Sequence, residues 1–357
     1  MTVLPLAIHT EIFKAAWPKS LDPSLESTLS KTKKFTWNFF SILIFPIGLI
    51  RLTGYFIRNL AFSFAVPGNT ERDSVEFNAR VARICFKKFS GTPLQLATPD
   101  GGLIEGAFFE GKNPQKVVVY GGGNRQQWEN LIGEVIHLQS LGCSVLVLNS
   151  RGTGKSKGER NQAGYALDYY TAYEYLIHKK NVDPENILAV GFSMGGAHTT
   201  RAAGLIQEKY PDKKISAINM CSFSSLRSEI QSLFSDSGIF SLIGKYIAPL
   251  VGIDMKVKSA WDKLKGEKVI FYNPKDEVIP RNASLYKAVK QHPIGTTKAI
   301  KMRAEKSSEN HCMKQGDNST LSEEVTRILQ LKSSFWKSLF HSPPSPALET
   351  RFLQQVG

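Results

Sequence analysis

The hydrophobic pattern changes character along the chain. From Leu94 onward, short dense apolar runs alternate with longer stretches in which apolar residues recur every three or four positions. The first pattern marks buried strands and the second amphipathic helices. PLQLATPDGGLIEGAFFEGK, residues 93–112, alternates about Asp100-Gly101-Gly102 and predicts a β-hairpin. Lys116–Tyr120, Ser144–Leu148, Ile187–Val190, Ile215–Met220, Lys268–Tyr272 and Thr297–Met302 predict further strands. Gln126–Leu141 carries Trp128, Leu131, Ile132, Val135 and Ile136 at helical spacing and stops at Gly142. Tyr165–His178 and Met194–Lys209 predict helices, and Thr320 with Glu323 forms a capping box for a closing helix through Phe340. Strands and helices in alternation predict an α/β fold: a mainly parallel, doubly wound sheet covered on both faces.

Two stretches depart from this rhythm. The segment from Cys221 to Gly266 is too long for an ordinary connection. Its apolar run Gly238–Gly252 predicts a helical cap over one end of the sheet, spanning about residues 222–266. Upstream, residues 1–68 read as an N-terminal extension, 69–341 as the main domain and 342–357, after SPPSP, as a flexible tail. Within the extension, FTWNFFSILIFPIGLI (35–50) holds no charge and follows Lys31, Lys33 and Lys34. Pro46 and Gly48 interrupt it, and it is shorter than the roughly 20 residues of a spanning helix. A spanning helix, an in-plane anchor and a helix buried against the domain all remain open for residues 35–66. The aromatic content and basic flank favour the in-plane anchor. A cleavable signal peptide would place such a run at the extreme N-terminus, and none is expected.

Charge and cysteine content narrow the partners. A net charge of +14 favours an acidic partner. No zinc-finger spacing or RNP-type aromatic cluster is present, so nucleic acid is not expected and an anionic membrane surface is the better candidate. Cys85, Cys143, Cys221 and Cys312 are far apart and form no C-x-x-C pair. They read as reduced thiols, which suits a reducing compartment, and no metal or cofactor is expected.

Asn149–Gly158, NSRGTGKSKG, resembles a phosphate-binding P-loop at Gly154-Lys155-Ser156. The first glycine of G-x-x-x-x-G-K-[ST] would fall at Asn149, however, and the polar KGERNQAG that follows starts no helix at Lys155. No later strand ends in an acidic residue able to hold Mg²⁺: those ending at Val190, Met220 and Tyr272 lead into Gly191, Cys221 and Asn273. Nucleotide hydrolysis is rejected on these three counts.

A stronger motif follows the strand Ile187–Val190. Gly191-Phe192-Ser193-Met194-Gly195 is G-x-S-x-G between a buried strand and a helix, the context a nucleophile elbow needs. The turn holds the serine hydroxyl out from the sheet and leaves no room for side chains at 191 or 195. At the helix N-terminus the Met194 amide is placed to stabilise an oxyanion.

With this motif located, the chain from about Leu94 to Phe340 resembles the α/β-hydrolase superfamily. The resemblance implies a second oxyanion amide from the loop after the third strand, YGGGNRQQWE, at Gly122, with Tyr120 where a histidine is usual. NSRGTGKS is then similar to the family's D-x-R-G-x-G-x-S loop, with Asn149 in place of the aspartate, a change expected to be tolerated. The family order of serine, acid and histidine implies Asp276 in NPKDEVIP as the acid, with the adjacent Glu277 as substitute, and His311 as the base. His292 precedes the last strand and His198 is too close to Ser193 on its helix. Cys221 and Cys312 read as bystanders lining the site. The basic, aromatic-rich extension is similar to a family of chlamydial hydrolase-like proteins.

The implied function is a serine hydrolase acting on a small-molecule or lipid acyl substrate through Ser193, Asp276 and His311, with Met194 and Gly122 at the oxyanion hole. The rival is a catalytically silent, membrane-docked binding protein with the same fold.

Overall fold

The computed structural model describes residues 12–16, 86, 88–124, 126–233, 255–302, 311 and 315–331. Their backbone forms a nine-stranded sheet in the order β1-β2-β3-β5-β4-β6-β7-β8-β9. The strands are β1 (Ile12–Lys14), β2 (Gly91–Ala97), β3 (Leu103–Phe109), β4 (Asn113–Gly121), β5 (Cys143–Leu148), β6 (Ile187–Phe192), β7 (Ser216–Met220), β8 (Lys268–Tyr272) and β9 (Lys298–Lys301). β2 and β3 form the expected antiparallel hairpin, and β3 is also antiparallel to β5. From β5 across to β9 every pairing is parallel.

β1 lies in a stretch whose sequence shows no strand pattern. It pairs in parallel with β2, Phe13 opposite Leu96, and buries Phe13 edge-on against Tyr175. Three residues have too little periodicity to announce a strand, and the pairing partner supplies the conformation.

With the sheet go helices α1 (Ile132–Ser140), α2 (Gln162–His178), α3 (Met194–Lys209), α4 (Leu226–Leu233), α5 (Val257–Lys263), α6 (Leu285–Gln291) and α7 (Gln315–Ile328), and two short 3-10 segments, Trp128–Leu131 and Pro184–Asn186. The strand alternation sorts the core into two layers. Val117, Val119, Ile187 and Ala189 face α2, α3 and α5 in one cluster with Tyr165, Tyr173, Ala202 and Trp261. Val118, Tyr120, Leu188 and Val190 face α1 and α7 in the other, with Val135, Leu138, Leu321 and Val325. Apolar residues on both faces of each central strand explain why those strands read as uninterrupted hydrophobic runs.

Several boundaries differ from the sequence expectation. The stretch expected as one helix over Gln126–Leu141 starts as a 3-10 turn, Trp128–Leu131, and becomes α-helical only at Ile132. The Trp128 amide donates to Asn149 Oδ1 at 2.8 Å, so a residue of a distant loop caps this entry. Thr320 is not a helix cap: α7 begins at Gln315, so Thr320 lies within it. The capping-box pattern is short enough to recur inside a helix that starts in polar sequence. α7 ends at Ile328, and residues 332–340 of the expected helix lie outside the described residues. So do 35–66 and the apolar run 238–252 of the expected cap. α4 and α5 fall at the two ends of the cap stretch, and α5 packs on α3, where Ala260 sits against Gly204.

The loop that imitates a P-loop is held by its own hydrogen bonds. Ser156 Oγ donates to the Asn149 carbonyl at 2.6 Å and accepts from the Glu105 amide at 2.8 Å. Gly152 N–H donates to the Ser156 carbonyl and Ser156 N–H to that of Thr153. The Lys155 side chain is solvent-exposed, with Glu105 3.9 Å away.

Arg151, fully buried, anchors this loop. Its Nε and Nη2 donate to Asp168 Oδ1 at 2.9 and 2.8 Å, and Nη1 and Nη2 reach Asp100 in the β2–β3 turn at 2.6 and 3.1 Å. Burial works against the guanidinium charge, but Asp168 and Asp100 outweigh it and hold its pKa above the usual value. Replacing Arg151 by Met leaves Asp168 buried without its counter-ion. We expect a loss of roughly 3–5 kcal/mol in urea unfolding, with partial recovery in the Arg151→Met/Asp168→Leu double variant.

Candidate active site

The parallel strands β4, β6, β8 and β9 end on one side of the sheet, and the loops that follow them carry the expected site residues. β6 runs into Ser193, whose backbone sits at φ 53 and ψ −120, and α3 starts at the next residue. This is a region that residues with a Cβ avoid and that persists only when the surroundings enforce it. Here the Ser193 amide donates to the Met220 carbonyl at 2.8 Å, tying the turn to β7.

The flanking glycines are steric requirements. A Cβ at Gly191 would stand 2.5 Å from Thr199 Oγ1 and 2.6 Å from the Gly195 carbonyl oxygen. A Cβ at Gly195 would stand 2.2 and 2.3 Å from the carbonyl oxygens of Gly122 and Gly121. Those contacts are with backbone and cannot be relieved by a side-chain rotation. The N-terminus of α3 therefore approaches the β4 loop closely enough for Gly122 and Met194 to border one cavity. The Gly123 amide is taken up by Gln126 Oε1 at 2.5 Å.

Asp276 and His311 meet Ser193 from the loops after β8 and β9. His311 Nε2 lies 2.9 Å from Ser193 Oγ, and His311 Nδ1 lies 2.9 Å from each carboxylate oxygen of Asp276. The Asp276 side chain is 4% exposed and that of His311 15%. Asp276 Oδ1 also accepts from the amides of Val278 and Ile279 at 2.9 and 2.8 Å, which fixes the carboxylate in the turn. Phe192 flanks the imidazole at a ring distance of 5.0 Å.

The neighbouring candidates lie elsewhere. Glu277 is exposed, and His292 is an exposed residue at the end of α6. His198 is buried in α3 and stacked on Tyr165 at 4.7 Å. Cys221 is buried beside Asp276 and Tyr272, and Cys312 lies outside the described residues.

Two further carboxyls were not anticipated. Glu129, on the 3-10 turn, is buried and pushed up to about 7 by burial, with Glu105 adding to the rise. Asn149 sits between these acids, fully buried, its Nδ2 3.5 Å from Glu105 Oε2. An aspartate at 149 would add a third carboxylate here, so the amide suits this chain better than the acid usual in the resemblance. Glu229 on α4 is buried, and burial, helped by the charge of Asp276, pushes it up to about 8. Neither acid follows a motif, and only the tertiary neighbours reveal the shift.

Comparison with known proteins bears on the fold. The family model described as alpha/beta hydrolase fold matches residues 117–236. An alpha-beta hydrolase from Vibrio vulnificus superposes with a TM-score of 0.57 at 20% identity, over 80% of this chain and 94% of that one. The esterase Pf2001 of Pyrococcus furiosus gives 0.50 at 16% identity, over 74% and 94%. The protein has the α/β-hydrolase fold. In sequence, 107 residues are 32% identical to the Multifunctional-autoprocessing repeats-in-toxin of Vibrio cholerae, a match covering 27% of this chain and 2% of the toxin. The chain thus spans only a small part of that relative.

A neutral buried Glu229 has a pH signature. Its raised folded-state pKa means that the fold binds its proton more tightly than the unfolded chain does. That stabilisation is complete below about pH 4.5 and is lost as pH rises toward about 8. Glu229→Gln removes this loss, so thermal unfolding at pH 5 and pH 8 is expected to show the variant gaining on the wild type at the higher pH.

Proposed function

We propose that this protein is a serine hydrolase that cleaves an ester, thioester or related acyl bond through an acyl-enzyme. The observation that carries the reading is the hydrogen-bonded chain from Ser193 Oγ through the His311 ring to Asp276, all at 2.9 Å. A serine hydroxyl attacks a carbonyl only when a base removes its proton, and the base acts only in the right orientation.

In this reading Ser193 Oγ attacks the acyl carbon as its proton passes to His311 Nε2. Asp276, holding Nδ1–H, fixes the ring and stabilises the imidazolium. The amides of Met194 and Gly122 take the oxyanion, and engagement of the Gly123 amide by Gln126 favours Gly122 as the partner of Met194. Collapse of the tetrahedral intermediate breaks the bond to the leaving group, which takes the proton from His311. A water then repeats the sequence on the acyl-enzyme and frees Ser193. The esterase among the proteins of similar fold agrees with acyl transfer.

A lipidic substrate and an anionic membrane surface are the finer part of the proposal. They rest on the apolar stretches 35–66 and 238–252 and on the net charge of +14. Among the described residues no helix is long and apolar enough to cross a membrane. Because Ile12–Lys14 belongs to the sheet, deleting residues 1–68 would damage the fold. Full-length protein with Phe39, Phe40 and Ile44 changed to Asp is the better probe. The wild type is expected to co-sediment with anionic vesicles and the variant to stay in solution; equal sedimentation would remove the anchor.

A fluorophosphonate probe tests the chemistry. We expect labelling of the wild type, none of Ser193→Ala, and a fall of about 10⁴-fold in kcat for Asp276→Asn on any ester turned over. Folded wild type that never labels would make the protein a silent member of the fold.

A further inference from the structure

The border of the sheet formed by β8, α6 and β9 carries a charge pattern that the mechanism does not use. Residues 278–301 hold no Asp or Glu but contain Arg281, Lys287, Lys290, Lys298 and Lys301. Lys298 is paired with Glu324 on α7. Arg281, Lys287, Lys290 and Lys301 form no ion pair with any described acid.

These cations gather around one pair of rings. Tyr272 on β8 and Tyr286 on α6 stack with centroids 3.6 Å apart and planes within 6°. The hydrogen bond with Tyr272, then Lys290 and Arg281, hold the Tyr286 hydroxyl below its usual pKa, so both cations lie near that ring. Lys290 Nζ stands 6.0 Å from the Tyr286 centroid. Lys301 lies opposite Tyr272 in the parallel register, so its side chain leaves the sheet on the same face. Lys287 neighbours Lys290 on the helix surface. Arg281, Lys290 and Lys301 are exposed. Apolar groups frame the patch: of the large hydrophobic side chains exposed among the described residues, Ile12, Val278 and Ile294, the last two stand just before and just after α6.

We infer that this face docks on an anionic lipid surface, with Arg281, Lys287, Lys290 and Lys301 at the phosphate level and Val278 and Ile294 in the interface. Four cations without acid partners supply the complementary charge. The exposed apolar pair and the tyrosines select a bilayer over a soluble polyanion, because they gain only where water meets hydrocarbon. The inference stands apart from both the segment 35–66 and the hydrolase chemistry. Val278 is two residues from Asp276, so a domain docked here holds the rim of the candidate site at the lipid.

Full-length protein and vesicles of phosphatidylserine and phosphatidylcholine in equal parts make the test. Arg281→Gln/Lys287→Gln/Lys290→Gln is expected to lower partition into these vesicles about a hundredfold, since each cation at such a surface contributes roughly fivefold. Pure phosphatidylcholine vesicles are expected to bind the wild type far more weakly. Lysine acetylation by a reactive ester, read residue by residue by mass spectrometry, needs no variant. Vesicles are expected to protect Lys287, Lys290 and Lys301 and to leave Lys155, 78% exposed on a loop four strands away, reactive. Unchanged partition of a folded triple variant overturns the docking face, as does wild type that binds both vesicle types equally or gains no protection at these lysines. Protection by an oligonucleotide but not by vesicles makes the patch a polyanion site and equally overturns the lipid. Fluorophosphonate labelling, measured without vesicles, decides the hydrolase reading separately.

Discussion

The geometry of this protein depends on one close approach, the N-terminus of α3 against the loop after β4. With a Cβ position at 195 only 2.2 Å from the Gly122 oxygen, nothing larger than hydrogen fits between them. That contact forces the chain to turn within a single residue, and the residue at the apex is Ser193, at φ 53. The strain is local, and it is held by the register of the parallel strands on either side: β6 lies between β4 and β7, and the Ser193 amide is fastened to the end of β7. A loop alone could not hold such a conformation. A sheet whose core strands are buried on both faces can.

The same sheet explains how residues distant in sequence share a small volume. Parallel strands all end on the same side, so the loops after β4, β6, β8 and β9 gather there without further design. Fine placement comes from polar contacts within each loop. Two amides at 278 and 279 aim the Asp276 carboxylate, and Phe192 flanks the His311 ring. The Arg151 cluster holds a neighbouring loop in place. It ties the β2–β3 turn, the loop after β5 and α2 into one unit.

Much of this was readable in the chain. The central strands announced themselves because both of their faces are buried, and the elbow because strand, glycines and helix occur together. Asp276 and His311 were readable only through the order that the resemblance implies, and the structure brings both to Ser193. Other features had no local signal. β1 is a strand only because β2 offers it a partner. α6, seven residues with two lysines, is too short to show a period. Thr320 carried the right pattern for a cap in the wrong place. His198 was set aside for lying too close to Ser193 on its helix, and its burial against Tyr165 is a property of the surroundings. The raised acids Glu129 and Glu229 are alike in this respect.

The edge strand also has a mechanical consequence. Lys14 lies opposite Ala97 at the far end of β2, while the intervening chain rejoins the sheet at Gly91, six residues or about 20 Å back along the same strand. The two ends of that intervening chain therefore meet the described sheet at separated points on a single border. A single leash lets a globule tumble freely, whereas two moorings define an axis and permit rotation only about it.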